Sequence, residues 1–155
     1  MFLGSYYYTI DEKGRIVIPV KLRADLGNEF ILTCDLDGCL SLYPRASWNV
    51  IIAKYKELPN VKNARAYLRF VLSSASNCQL DKQGRLSINS NLIQYAGIKK
   101  ECIIMGVDDH LEIWSKERWN EFLENSQLAG IDMDPNDVTD RINTEFGEIK
   151  EIMGM

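Results

Sequence analysis

No apolar run in this 155-residue chain approaches the ~20 residues needed to cross a bilayer. The opening residues lack a basic stretch followed by an apolar core, so a cytoplasmic protein is expected rather than a secreted one. Histidine occurs once, at His110. That scarcity suggests no Ser–His or Cys–His nucleophile, and no phosphate-binding loop appears. Cys34, Cys39, Cys78 and Cys102 contain no C-x-x-C pair, so neither a zinc site nor a disulfide framework is expected. The cysteines read as small apolar residues, packed inside or at edges. His110 reads as a surface or hairpin residue. No metal, cofactor or catalytic residue is expected.

Basic charge is also scarce overall, with a net of −4, which looks wrong for a nucleic-acid binder. Its distribution changes the picture. Residues 130–155 hold seven acids and two bases, a net of −5. Residues 1–72 hold ten bases and seven acids, a net of +3, and residues 73–129 six bases and eight acids, a net of −2. Steering depends on the local potential more than on the total.

What the chain does have is an internal repeat. Ile10-Asp11-Glu12-Lys13-Gly14-Arg15-Ile16-Val17-Ile18 lies over Leu80-Asp81-Lys82-Gln83-Gly84-Arg85-Leu86-Ser87-Ile88. The register continues through Leu22 over Leu92 and Gly27 over Gly97. After one inserted residue, Leu40-Ser41-Leu42-Tyr43 lies over Leu111-Glu112-Ile113-Trp114, and Trp48 over Trp119. Such an ordered set points to duplication.

Each copy reads as a strand (about 5–10 and 76–80), an Asp-x-x-Gly-Arg hairpin turn, and a second strand alternating at Ile16 and Ile18 or Leu86 and Ile88. Asp11 and Asp81 would open the turns by accepting backbone N–H bonds, and Gly14 and Gly84 would take the positive φ. A short helix follows, Val20 to Leu26 or Asn91 to Ala96, ended by glycine. Two further strands are expected: Phe30–Cys34 with Cys39–Tyr43, and Glu101–Val107 with His110–Trp114. A helix then carries Trp48, Ile51, Ile52 and Tyr55, or Trp119, Phe122 and Leu123, with both tryptophans as core anchors. Val61, Ala64, Tyr67, Leu68, Val71 and Leu72 form an apolar stripe, with Lys62, Arg65 and Arg69 on another face. Apolar groups recur over 136–152 in an acidic amphipathic pattern. The expected division is a first module at 5–47, a helical connection at 48–75, a second module at 76–118, and C-terminal helices with an acidic tail at 119–155.

A hairpin needs Asp and Gly for geometry but not the basic residues. Lys13 and Arg15 occupy the first turn, Lys82 and Arg85 the second. An Asp11–Arg15 or Asp81–Arg85 ion pair would explain the arginines structurally, although exposed pairs of this kind stabilise little. The functional reading sends each arginine toward DNA, where its fork matches a guanine edge or a phosphate. Lys13 would supply a point charge to the backbone. Lys21 and Arg23 are further candidate DNA contacts. Their counterparts in the second copy are Asn91 and Ile93, so the first turn is expected to carry more of the affinity.

The opening Met1-Phe2-Leu3-Gly4, the turn Asp11-Glu12-Lys13-Gly14-Arg15 with Ile16-Val17-Ile18-Pro19 after it, and the turn Asp81-Lys82-Gln83-Gly84-Arg85 resemble the MraZ family. Leu111-Glu112-Ile113-Trp114 and Trp119 resemble the end of its second module, so the resemblance covers roughly residues 1–125. It implies an α+β, mainly β fold. Two tandem SpoVT-AbrB-type swapped-hairpin modules would form one pseudo-twofold barrel with flanking helices. It implies a closed homo-oligomeric ring, an octamer or dodecamer, in the cytoplasm and nucleoid. The partner would be double-stranded DNA carrying short G-containing repeats upstream of the operon for division and cell-wall genes, with the protein's own gene under the same control. Lys13, Gly14 and Arg15, with Lys82, Gly84 and Arg85, match the family's DNA-contacting hairpins. Asn89 departs from the pattern, standing where the first copy has Pro19.

Two other classes compete. An AbrB-like antitoxin or interaction module would use the acidic tail to wrap a protein partner. An aspartic protease would place two Asp about a pseudo-dyad, but it needs Asp followed by Thr or Ser and then Gly. Asp11-Glu12-Lys13 and Asp81-Lys82-Gln83 do not fit that pattern, and no enzyme is expected.

Overall fold

The computed structural model describes residues 1–125. The acidic pattern at 136–152 therefore lies outside the described residues. Contacts divide the chain into two units, Met1–Lys116 and Glu117–Met155. Among the described residues no helix is long and apolar enough to cross a membrane.

In the first unit the first copy forms β1 (Ser5–Thr9), β2 (Arg15–Val17), α1 (Val20–Leu26), β3 (Phe30–Cys34) and β4 (Leu40–Pro44). Two helices follow, α2 (Arg45–Lys56) and α3 (Lys62–Ser74), broken at Pro59-Asn60. The second copy forms β5 (Ser76–Cys78), β6 (Arg85–Ser87), α4 (Ser90–Ala96), β7 (Glu101–Val107) and β8 (His110–Ser115). The architecture is α+β, with every strand pair antiparallel.

The strands pair across the repeat. One sheet runs β1-β7-β8-β4-β3-β5, and β2 and β6 form a separate two-stranded ribbon. Thus β1 of the first copy lies on β7 of the second, and β5 of the second lies on β3 of the first. The expected hairpin is corrected accordingly. Asp11 N–H still donates to the Arg15 carbonyl, and Asp81 N–H to that of Arg85. Beyond that bond the flanking strands part and find partners in the other copy. The six-stranded order ends at β1 and β5.

One core serves both copies. Ile16, Ile18, Leu22, Leu32 and Leu42 pack with Leu86, Ile88, Leu92, Ile104 and Ile113. Strand β3 is buried throughout. Phe30, Leu32 and Cys34 face this core, while Ile31 joins Tyr43, Trp48 and Val71 in a second cluster with Ile51, Tyr55 and Tyr67. Thr33, also buried, donates to the Val71 carbonyl at 2.7 Å. Cys34, Cys39 and Cys102 are buried, and Cys78 is half-buried. The expected stripe on α3 is narrower than its sequence suggests, because Val61 and Leu72 are exposed and only Val71 is fully buried.

Most of α5 (Lys116–Glu124) belongs to the second unit. There Trp119 stacks on Phe122, with ring centroids 5.6 Å apart. Trp48 is the core anchor expected of it, but Trp119 is only half-buried and no residue of its helix is fully buried.

The substitution of Asn89 for Pro19 has a local explanation. Both residues precede the first turn of the short helix. Pro19 fixes the entering φ and makes no side-chain cap, whereas the Asn89 Oδ1 accepts from Leu92 N–H at 3.0 Å. Asn89→Ala is expected to cost about 1 kcal/mol, measured by urea unfolding. A loss indistinguishable from zero would show that the cap carries no weight.

Candidate functional site

The two Asp-x-x-Gly-Arg turns repeat one another closely. Asp11 Oδ1 accepts from Lys13 N–H at 3.0 Å and Arg15 N–H at 2.8 Å; Asp81 Oδ1 accepts from Gln83 and Arg85 N–H, each at 2.9 Å. The other carboxylate oxygen takes the Nε of Arg15, or of Arg85, at 2.7 Å in both copies. Arg15 N–H, foremost among these donors, holds the Asp11 carboxyl below its ordinary range, and Arg85 N–H does the same for Asp81. The stabilisation from these carboxylates is complete above the unfolded carboxyl pKa and is lost as pH falls through the lowered folded value.

The ion pair anticipated as a structural explanation therefore exists, but it runs through Nε. The terminal nitrogens of Arg15 and Arg85 make no hydrogen bond with the described residues. Aspartate fixes the plane of the guanidinium and leaves its two-pronged edge available.

The ribbon decides where these edges lie. Ile16 pairs with Leu86 at its centre, and both side chains are buried. Side chains alternate along a strand, so Arg15 and Val17, with Arg85 and Ser87, share the outer face. Arg15 pairs with Ser87 and Arg85 with Val17, so the arginines flank the central pair symmetrically. Their side chains are 27% exposed in both copies. Reciprocal bonds lock the turns together: Ile18 N–H donates to the Gly84 carbonyl at 2.9 Å, and Ile88 N–H to that of Gly14 at 2.8 Å. Gly14 and Gly84 both take φ +75°.

The remaining candidates separate. Lys13 and Lys82 are exposed at the turn tips, and Lys21 is exposed on α1. Arg23 is half-buried, and its Nε donates to the Ile18 carbonyl at 2.8 Å. Its guanidinium lies against Gly84, where a Cβ would overlap it. By sequence Arg23 belongs to the first copy; in space it belongs to the second turn. That placement takes Arg23 out of the grounds for expecting the first turn to dominate and leaves Lys21 among them. Lys62, Arg65 and Arg69 are exposed on α3, and Arg65 donates to the Asn60 side-chain oxygen at 2.9 Å.

Sequence reading missed the surroundings of His110. Its Nδ1 lies 2.6 Å from Asp109 and its Nε2 3.1 Å from Glu112, while Tyr43 stacks on the ring. Glu112 also accepts from Trp114 Nε1 at 3.0 Å. The period-2 spacing of His110, Glu112 and Trp114 on β8 was the available signal. Asp35, His110 and Glu112 bring ligand-type atoms within 4.8 Å of one another, but both ring nitrogens are already engaged by carboxylates. Burial pushes the imidazole down, yet the bonds to Glu112 and Asp109 outweigh it, and its pKa is raised. The stabilisation is complete below the unfolded pKa and is lost as pH rises through the folded one. An NMR titration of this single imidazole is expected to give a midpoint above 6.5, the ordinary value. A midpoint at or below that value would contradict the network.

Comparison with known proteins fits the duplicated arrangement. A family model described as "MraZ protein, putative antitoxin-like" matches twice, over residues 1–70 and 71–142. A protein of Clostridium acetobutylicum named transcriptional regulator MraZ is 52% identical over 127 residues, 81% of this chain and 89% of that protein. One of the same name from Natranaerobius thermophilus is 44% identical over 130 residues, 83% of this chain and 91% of that protein. With both halves matched and both turns in register, the chain belongs to the MraZ family.

Proposed function

We propose that this protein is a sequence-specific DNA-binding transcription regulator. It acts on short repeats upstream of the division and cell-wall operon, its own gene included. The observation that carries this reading is the outer face of the β2–β6 ribbon, where Arg15 and Arg85 stand symmetrically with their Nε groups fixed by Asp11 and Asp81. A two-stranded ribbon fits the major groove, and a free guanidinium edge matches guanine O6 and N7. Lys13 and Lys82, exposed at the turn tips, address the phosphates. The names of the two relatives agree with a regulator.

The strand exchange and shared core support a pseudo-twofold barrel built from two SpoVT-AbrB-type modules. The edge strand β1 exposes Tyr7, and the segment before it exposes Leu3. An apolar sheet edge is usually covered. A closed ring of eight or twelve copies in the cytoplasm and nucleoid would cover it and set the ribbons around one rim.

Fluorescence anisotropy tests the central reading, using DNA from directly upstream of the gene against scrambled DNA over a range of salt. Preference for the upstream DNA by about a thousandfold or more is expected. Equal affinity for both at every salt would sink it and turn attention to a protein partner for the acidic tail.

A further inference from the structure

We infer that Arg23 completes a phosphate-binding subsite at the second turn, so that this DNA-contacting element is assembled from both copies of the repeat. The inference rests on the DNA-binding reading above and deepens it. Three observations carry it. The Arg23 guanidinium lies against Gly84, immediately before Arg85. Its Nε is anchored on the Ile18 carbonyl, while Ile18 N–H in turn donates to the Gly84 carbonyl, so arginine and turn share one anchor. Among the described residues Arg23 forms no salt bridge, whereas Arg15 and Arg85 are each tied to an aspartate. Its terminal nitrogens therefore add charge that no neighbouring carboxylate cancels.

The pseudo-symmetric position shows that an arginine is not required for packing. There Ile93 occupies the equivalent place, 3.0 Å from where a Cβ on Gly14 would stand. An aliphatic side chain thus fills the same niche beside the first turn. The charges of the turns differ as well. Asp11, Glu12, Lys13 and Arg15 cancel, whereas Asp81, Lys82 and Arg85 leave one positive charge, to which Arg23 adds a second. Arg23 is held flat against the turn backbone, so its reach suits a phosphate rather than a base edge. Phosphate contact positions DNA without reading its sequence.

The test is anisotropy on upstream and scrambled DNA at several salt concentrations, with the full chain and three variants. Arg23→Ile copies the residue that the second copy uses at this niche. It is expected to weaken binding to both DNAs by about tenfold, the scale of one charge-assisted contact. The salt slope should fall by about one for each second turn engaged, while the specificity ratio stays unchanged. Arg23→Lys should keep most of the salt slope. Ile93→Arg should add the missing cation at the first turn and raise both affinity and slope. A folded Arg23→Ile with wild-type affinity and slope would overturn the subsite while leaving DNA binding intact. Loss confined to the upstream DNA would replace phosphate contact with base reading and so overturn it too. If Arg23→Ile does not fold, an unchanged slope in Ile93→Arg decides against the proposal. Absence of binding by the wild type would reject the DNA reading and the subsite together.

Discussion

Arg15→Ala is expected to erase discrimination between upstream and scrambled DNA while the protein stays folded. The Asp11 carboxylate would keep its bonds from the N–H groups of Lys13 and Arg15, which depend on the backbone and not on the deleted side chain. The buried neighbour Ile16 and the reciprocal Ile–Gly bonds would also be untouched. What disappears is the guanidinium edge on the ribbon's outer face. One bidentate base contact contributes about 1–3 kcal/mol of discrimination, and in an oligomer every engaged copy loses it together. Arg85→Ala should be comparably damaging, because the second turn repeats the first in its Nε–carboxylate distance and in its exposure. The measurement is anisotropy on both DNAs, with circular dichroism and a melting curve as controls. A folded Arg15→Ala that keeps the wild-type preference would remove the ribbon face as the reading head.

The comparable losses expected of Arg15→Ala and Arg85→Ala differ from what the sequence suggests, and the reason is topological. Aligning the copies gives the turns, their aspartates and glycines, and the alternation that buries Ile16 and Leu86. These features are local, set within four or five residues by turn chemistry and a period of two. Alternation tells which face of a strand is buried but not which strand lies beside it. The exchange of β1 onto β7 and of β5 onto β3 therefore could not be read from period alone. It entered the reading only through the resemblance to a family. Arg23 shows the consequence. Linear position places it with the first turn, and only the exchange brings α1 of one copy against the glycine of the other. Trp119 shows a second limit. The repeat aligns it with Trp48, yet it lies half-buried on a helix with no fully buried residue.

Gly14→Ala and Gly84→Ala should both be clearly destabilising, because both glycines take φ +75°. The left-handed conformation alone costs an alanine about 1–2 kcal/mol at either site. The surroundings add to that cost. A Cβ at Gly14 would stand 2.8 Å from the Ile88 carbonyl oxygen. That oxygen is backbone, and Ile88 N–H is itself committed to the Gly14 carbonyl. Relief requires moving the Ile88 backbone away from the turn to which it is bonded, so the total cost should reach about 3 kcal/mol, within the range of strained-backbone substitutions. For a unit of this size that is a fall of roughly 10 °C in Tm. At Gly84 a Cβ would first meet the Arg23 guanidinium and would have to displace it. The loss there should be at least the conformational cost, roughly 5 °C. Gly84→Ala would also show its effect in binding, because displacing Arg23 removes the cation from the second turn and should reproduce the reduced salt slope of Arg23→Ile. Thermal melts of both variants, followed by salt titrations of Gly84→Ala, check this directly. An unchanged Tm for Gly14→Ala would mean that the Ile88 backbone yields freely and that the reciprocal bonds do not lock the turns. A Gly84→Ala protein with the wild-type salt slope would mean that Arg23, once displaced, had been contributing nothing to DNA.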